Sequence, residues 1–259
     1  MTPELKAAVE AARRAGALQM ESFGRPLEIA YKGVINPVTD VDHASDALIA
    51  GVLRQAFPEY GILGEEGDVQ PQTGTRWIVD PLDGTTNYAH GYPFFSVSIA
   101  LERKDGIVLG VVYNPLLDEL FTAEKGRGAA LNGLPIRAAG TKDVGRVVLA
   151  SGFPYDAWTS PRDNGEEFRR FIKRAFTLRS DGSAALDLCH VACGRLDGFW
   201  ELDLEAWDMA AGVLMVTEAG GRVTLANGQP VDAYKRSVLA ANPRLHEEML
   251  KILTGHAAF

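Results

Sequence analysis

The segment Trp77-Ile78-Val79-Asp80-Pro81-Leu82-Asp83-Gly84-Thr85-Thr86-Asn87-Tyr88 holds two carboxylates on one short turn. An apolar strand delivers Asp80 at its end, and Pro81, lacking an N–H, is expected to stop the ladder there. Asp83 follows three residues later, and Gly84 permits a close backbone approach. Two carboxylates in so small a volume call for a cation or a proton between them. All-oxygen ligands of this kind suit a hard cation, Mg²⁺ above all. The exposed amides of Gly84 and Thr85 are candidates to hold a phosphate oxygen, more so if a helix starts there. The same residues also read as an ordinary strand-to-turn transition, where Asp, Pro and Gly are all expected.

Other acids sit at comparable places. Gly64-Glu65-Glu66-Gly67 follows the apolar run Gly61-Ile62-Leu63. Val38-Thr39-Asp40-Val41-Asp42 precedes a helical pattern, and Trp207-Asp208-Met209 opens another. Each alone reads equally as a helix cap or a solvated turn. Together they are four acid-bearing element ends able to converge on one cleft.

The elements that must position them follow from periodicity. Residues 3–22 read as a helix capped by Thr2, and 43–57 as a second, stopped by Pro58. Short β-rich runs follow at 61–64, 76–80, 94–101, 107–113 and 119–123. Several meet through turn residues such as Lys104-Asp105-Gly106 and Asn114-Pro115, which predicts an antiparallel meander. In the second half, strand-like 147–151, 176–180, 197–200 and 237–240 alternate with helical 165–174, 183–193, 207–218 and 243–253. The fold class is α+β, one domain over 1–259 with approximate lobes 1–140 and 141–259 joined near 137–146.

Composition narrows the chemistry. The 259 residues are 46% apolar and 23% charged, with a formal net charge of −8. An acidic chain without a basic block argues against a nucleic-acid surface. The stretch Arg169 to Arg174 reads as a solvated helix face. Cys189 and Cys193 are too few for a disulfide framework or a Cys-rich zinc site and read as core. The start Met1-Thr2-Pro3-Glu4-Leu5 does not resemble a signal peptide, and no run approaches a membrane span, so a cytoplasmic protein is expected. There is no Walker-type loop, no GxSxG elbow and no HExxH; Gly126 to Leu131 fails the GxGxxG pattern and reads as a hairpin turn.

Two stretches carry a resemblance: WIVDPLDGTTN, from Trp77 to Asn87, and WDMAAGVLMVTEAGG, from Trp207 to Gly221. The sequence resembles the inositol monophosphatases, of a Mg²⁺-dependent, lithium-sensitive phosphatase superfamily. Gly64-Glu65-Glu66 and Thr39 with Asp42 fall in the family order. The resemblance spans essentially the whole chain. It implies a layered α/β/α/β/α sandwich and a homodimer. It implies that Glu65, Asp80 and the Leu82 carbonyl hold one Mg²⁺, that Asp80, Asp83 and Asp208 hold a second, and that Glu65 helps bind a looser third. Lithium would take the position formed by Asp80, Asp83 and Asp208. Thr85, supported by Asp42, would orient the attacking water near Glu65. The Gly84 and Thr85 amides would bind the phosphate. Asp83, Gly182, Ser183, Ala184 and Glu201 would contact the substrate. Lys32 is a candidate for a family lysine near the cleft, and Asp181 and His190 are expected to pack. Thr86-Asn87 favours the inositol-monophosphatase branch. The implied activity is hydrolysis of myo-inositol monophosphate. A broader sugar or polyol phosphatase, including fructose 1,6-bisphosphatase activity, and a regulatory binding protein on the same fold stay open.

Overall fold

Along Trp77-Ile78-Val79 the side chains alternate between two cores. Trp77 and Val79 pack with Val97, Ile99, Leu109 and Val111 on one side. Ile78 packs with Ala100, Val112 and Phe121 on the other. A sheet apolar on both faces needs cover on both.

The computed structural model describes residues 1–25, 29–32, 36–65, 67–70 and 73–255, without the side chains of 29–32, 36–38, 68 and 69. Helix α1 (Pro3–Ser22) is capped by Thr2, whose hydroxyl accepts from the Leu5 amide. Strands β1 (Ile29–Lys32) and β2 (Asn36–Thr39) form a separate ribbon leading into α2 (Asp40–Ala56). Next come β3 (Gly61–Gly64), β4 (Gly67–Val69), β5 (Arg76–Asp83), the short helix α3 (Thr85–Ala89) and β6 (Ser96–Arg103). Then β7 (Gly106–Asn114), β8 (Glu119–Glu124), β9 (Ala129–Leu131) and β10 (Leu134–Pro135) complete an eight-stranded sheet, ordered β10-β9-β8-β7-β6-β5-β3-β4. Its β5 to β8 stretch is the expected antiparallel meander.

The second half runs β11 (Val148–Ser151), α4 (Gly165–Ile172), β12 (Thr177–Arg179), α5 (Ala184–Ala192), β13 (Gly198–Leu202), α6 (Ala206–Glu218), β14 (Arg222–Thr224), β15 (Ser237–Ala241) and α7 (Pro243–Leu253). Its strands form a five-stranded sheet, ordered β12-β11-β13-β15-β14. Helices α1 and α2 cover the outer face of the large sheet. Helices α5 and α6 lie between the sheets. Helices α4 and α7 cover the far face of the small sheet. The layers are therefore α/β/α/β/α, as the resemblance implied.

Two readings need correction. The β5 ladder does not stop at Pro81: it continues to Asp83 through a register shift between Asp80 and Asp83, so a bulge absorbs the missing N–H. The 169–174 stretch is not wholly a solvated face, because Arg170 donates to the Leu253 carbonyl at 2.7 Å and caps α7. Cys189 is buried in the middle layer and Cys193 is half-buried; both are free. Among the described residues no helix is long and apolar enough to cross a membrane.

His246 of α7 is fully buried, its Nε2 2.9 Å from the Thr224 hydroxyl and its Nδ1 unpartnered. Burial, helped by Arg222, lowers its pKa to about 4. Burial likewise holds His190 to about 4, against Glu119 and with Arg195. The unfolded chain takes these protons first as pH falls. The contribution of these two histidines should hold above pH ~6.5 and then fall, by about 1.4 kcal/mol per pH unit for each, down to pH ~4, against the opposite contribution of buried carboxyls whose pKa is raised. Between pH 7 and pH 4.5 the urea midpoint of the parent should drop relative to that of His246→Gln; equal pH dependence in the two would remove His246 as a cause.

Candidate functional site

Strand β5 delivers Asp80 and, past the bulge, Asp83. The Leu82 amide donates to Asp80 Oδ1 at 3.0 Å, fixing that carboxylate against the turn. Gly84 follows with φ +91°, and a Cβ there would lie 3.0 Å from the Phe94 carbonyl oxygen and 3.1 Å from that of Gly182. The position therefore needs glycine on both counts. This close approach seats the turn before α5 against the turn before α3.

That turn serves Asp83. The Ser183 hydroxyl and the Ala185 amide (3.0 Å) both donate to Asp83 Oδ2. Asn87 ties the same two turns together, donating to the Phe94 and Asp181 carbonyls, each at 2.7 Å. Thr85 lies 2.8 Å from Asp42 Oδ1 and 2.9 Å from the Leu82 carbonyl oxygen. Asp42 is buried at the first turn of α2, where Thr39 donates to its Oδ2 through both amide and hydroxyl. Asp208 occupies the matching place on α6, its Oδ2 accepting from the Glu205 amide at 2.8 Å in a capping box.

Glu65, Asp80, Leu82, Asp83, Gly84, Thr85, Gly182, Ser183, Ala184, Glu201 and Asp208 all line one cavity of about 610 Å³. Asp42 stands behind Thr85, outside the lining. Glu201, on β13, rests on Gly152, where a Cβ would strike its carboxylate. The side chain of Lys32 lies outside the described residues, as does Glu66. His190 packs away from the cavity, beside Arg195, Phe94 and Phe121. Asp181 enters through its backbone carbonyl.

Electrostatics sets the character of the cavity. Burial holds the Asp80 carboxyl well above the usual range, and Asp83, Glu65 and Asp208 raise it further. Burial and then Asp83 do the same to Asp208. Asp83 rises to about 6, burial outweighing its hydrogen bonds to Ser183 and Ala185. Glu201 is raised by burial, then by Asp208 and Asp83. Among the described residues no three His, Cys, Asp or Glu side chains are gathered into a cluster able to hold a metal ion as they stand. The fit to a hard divalent cation rests on donor chemistry. Several carboxylates face one cavity, each raising another's proton affinity, and a cation would relieve that repulsion.

Four residues here escaped the sequence reading. Glu205 caps α6 and was legible as an acid three residues before Asp208. Arg236 is the single cation among the described lining residues. It pairs with Asp203 at 3.1 Å and Glu205 at 3.0 Å. Asp187 is buried with Oδ1 unpartnered; burial raises its pKa, and so do Asp181, Glu201 and Asp83. Tyr155 reaches the cavity from the loop after β11. The last three depend on how distant segments pack, and no local pattern announces them.

The inositol monophosphatase family matches residues 1–257 of this chain. Inositol monophosphatase 2 of Solanum lycopersicum is 43% identical over 255 residues, covering 95% of this chain and 96% of its own. The Nus factor SuhB of Pseudomonas aeruginosa is 41% identical over 264 residues, covering 99% and 97%. The crystal structure of the extragenic suppressor protein suhB of Bartonella henselae superposes with a TM-score of 0.93. It has 40% identity and covers 98% of this chain and 99% of that one.

Proposed function

We propose, given that this chain belongs to the inositol monophosphatase family, that it hydrolyses myo-inositol monophosphate to inositol and phosphate with Mg²⁺, as one phosphatase domain. The observation that carries this reading is the meeting of Glu65, Asp80, Asp83, Asp208, Thr85 and Glu201 around one cavity. Two or three Mg²⁺ ions would be held by Glu65, Asp80, the Leu82 carbonyl, Asp83 and Asp208. When bound they would offset the charge of the phosphate dianion and make water a better nucleophile. The chain's own groups do the rest. With the Thr85 hydroxyl donating to Asp42, its lone pairs face outward to accept from the attacking water. Glu65, across the cavity, takes up the proton. The Gly84 and Thr85 amides bind phosphoryl oxygens. Glu201 and the Gly182–Ala184 turn read the polyol hydroxyls. No Ser, Cys or His nucleophile is required by this scheme.

Phosphate release from inositol 1-phosphate, with and without Mg²⁺, beside fructose 1,6-bisphosphate and a nucleoside bisphosphate, tests it. Mg²⁺-dependent release chiefly from inositol 1-phosphate is expected. Release chiefly from another substrate would reassign the substrate to the broader sugar-phosphate reading. Glu201→Gln should raise KM for inositol 1-phosphate about tenfold and leave p-nitrophenyl phosphate nearly unchanged. Equal effects on both would remove Glu201 as the polyol reader.

Self-association and a cytoplasmic location belong to the same reading. Trp158, Ile172 and Phe176 are largely exposed, which supports a homodimer that covers apolar surface. Light scattering should give the mass of two chains; a monomer would refute this. The name Nus factor of a 41% identical relative supports a second reading, a regulatory binding role on the same fold. Such a role should survive Asp208→Asn in a pull-down.

A further inference from the structure

Acids far outnumber bases around the cavity, and its one cation among the described lining residues, Arg236, is already paired with Asp203 and Glu205. A phosphate dianion entering it needs neutral donors besides the backbone amides. Tyr155 is placed to be one. It lies on the loop after β11, a segment on the small-sheet side, yet lines the same cavity as Thr85 and Thr86. About half of its surface stays exposed (52%), and it shares the cavity lining with Thr86. Thr86 directly follows Gly84 and Thr85, which line the same cavity. The loop after β11 and the start of α3 thus border the same cavity.

The geometry points to Tyr155 as a further substrate-binding residue, its phenol O–H donating to a phosphoryl oxygen of the substrate beside the Gly84 and Thr85 amides. The phenol lines the cavity and has one proton to donate. Burial and the carboxylates of Asp208, Asp83 and Glu65 all raise its pKa, so it keeps that proton at neutral pH. A neutral donor avoids bringing a further charge into a desolvated site. A hydrogen bond to a charged group also has the larger net value.

This inference rests on the phosphatase reading, and its test separates the two. Tyr155→Phe keeps the ring and removes only the hydroxyl. In saturating Mg²⁺, calorimetry should show inorganic phosphate binding about tenfold more weakly to the variant than to the parent. KM for inositol 1-phosphate should rise by the same factor, with kcat within about twofold and the melting temperature unchanged. Equal phosphate affinity in the two proteins would overturn the proposal. So would a raised KM with unchanged phosphate affinity, which would assign the hydroxyl to the polyol. A parent enzyme that releases no phosphate would sink the phosphatase reading, while the calorimetric comparison would still decide on Tyr155.

Discussion

Asp208→Asn should lower turnover by a factor on the order of 10³ or more and leave the protein at least as stable in the absence of added Mg²⁺. The two effects have one cause. Asp208 is raised far above its usual pKa by burial and by the negative charges of Asp83 and Glu65. Asparagine has the same shape, and its carbonyl oxygen still accepts from the Glu205 amide, so the cap of α6 survives. What disappears is one negative charge from a repelling group, which should relax the folded state. What also disappears is an anionic oxygen for the cation. Mg²⁺ should therefore raise the melting temperature of the parent, through binding to the native state alone, and raise that of the variant far less. Asp83 is a poorer choice for this test. Its Oδ2 accepts from both Ser183 and Ala185, and an amide turned the wrong way would break the link between two turns. Retained turnover, or an unchanged Mg²⁺ shift in Asp208→Asn, would overturn the role given to this residue.

The carboxylates were legible because each sits at a strand or helix end with a local reason to be there. Asp42 and Asp208 each accept from the amide three residues earlier, a pattern visible in the sequence. The regular elements were legible too: α1 and α7 were predicted to the residue, and the turn residues Lys104-Asp105-Gly106 and Asn114-Pro115 between strands predicted the meander. The bulge after Asp80 was not, because it is defined by the partner strand β6, where Ser98 faces Asp80 and Ser96 faces Asp83. Tyr155 and Arg236 were hidden for a stronger reason. Tyr155 and Thr86 line one cavity from 69 positions apart in the chain, and Arg236 meets Glu205 across 31. Their places follow from how the second sheet docks on the α5–α6 layer, which no window of sequence contains.

That docking is testable at Gly110. Ala100, Gly110 and Ala123 stand side by side across β6, β7 and β8, forming a row of small residues on the inner face of the large sheet. Helix α6 lies along this row with its own small residues, Ala210, Ala211 and Gly212. A Cβ at Gly110 would come 2.9 Å from the Ala211 carbonyl oxygen and 3.1 Å from its Cα. These are backbone atoms of a central helix and cannot turn aside. Gly110→Val should therefore lower stability by about 3 kcal/mol, near the upper end of overpacking costs, although valine is the better strand former. For a chain of this size that is a fall in melting temperature of about 6–12 °C. Gly51 supplies the opposite control: it is exposed within α2, with nothing within 4 Å of its Cβ position. Gly51→Ala should raise stability by about 0.5–1 kcal/mol. The Gly110 variant should also lose activity at temperatures where it remains folded. Displacing α6 from the sheet moves Asp208 on its first turn away from Asp80 and Asp83 on β5. A Gly110→Val protein that is destabilised yet fully active would show that α6 can shift without disturbing the carboxylates, and would separate the packing of this layer from the chemistry of the cavity.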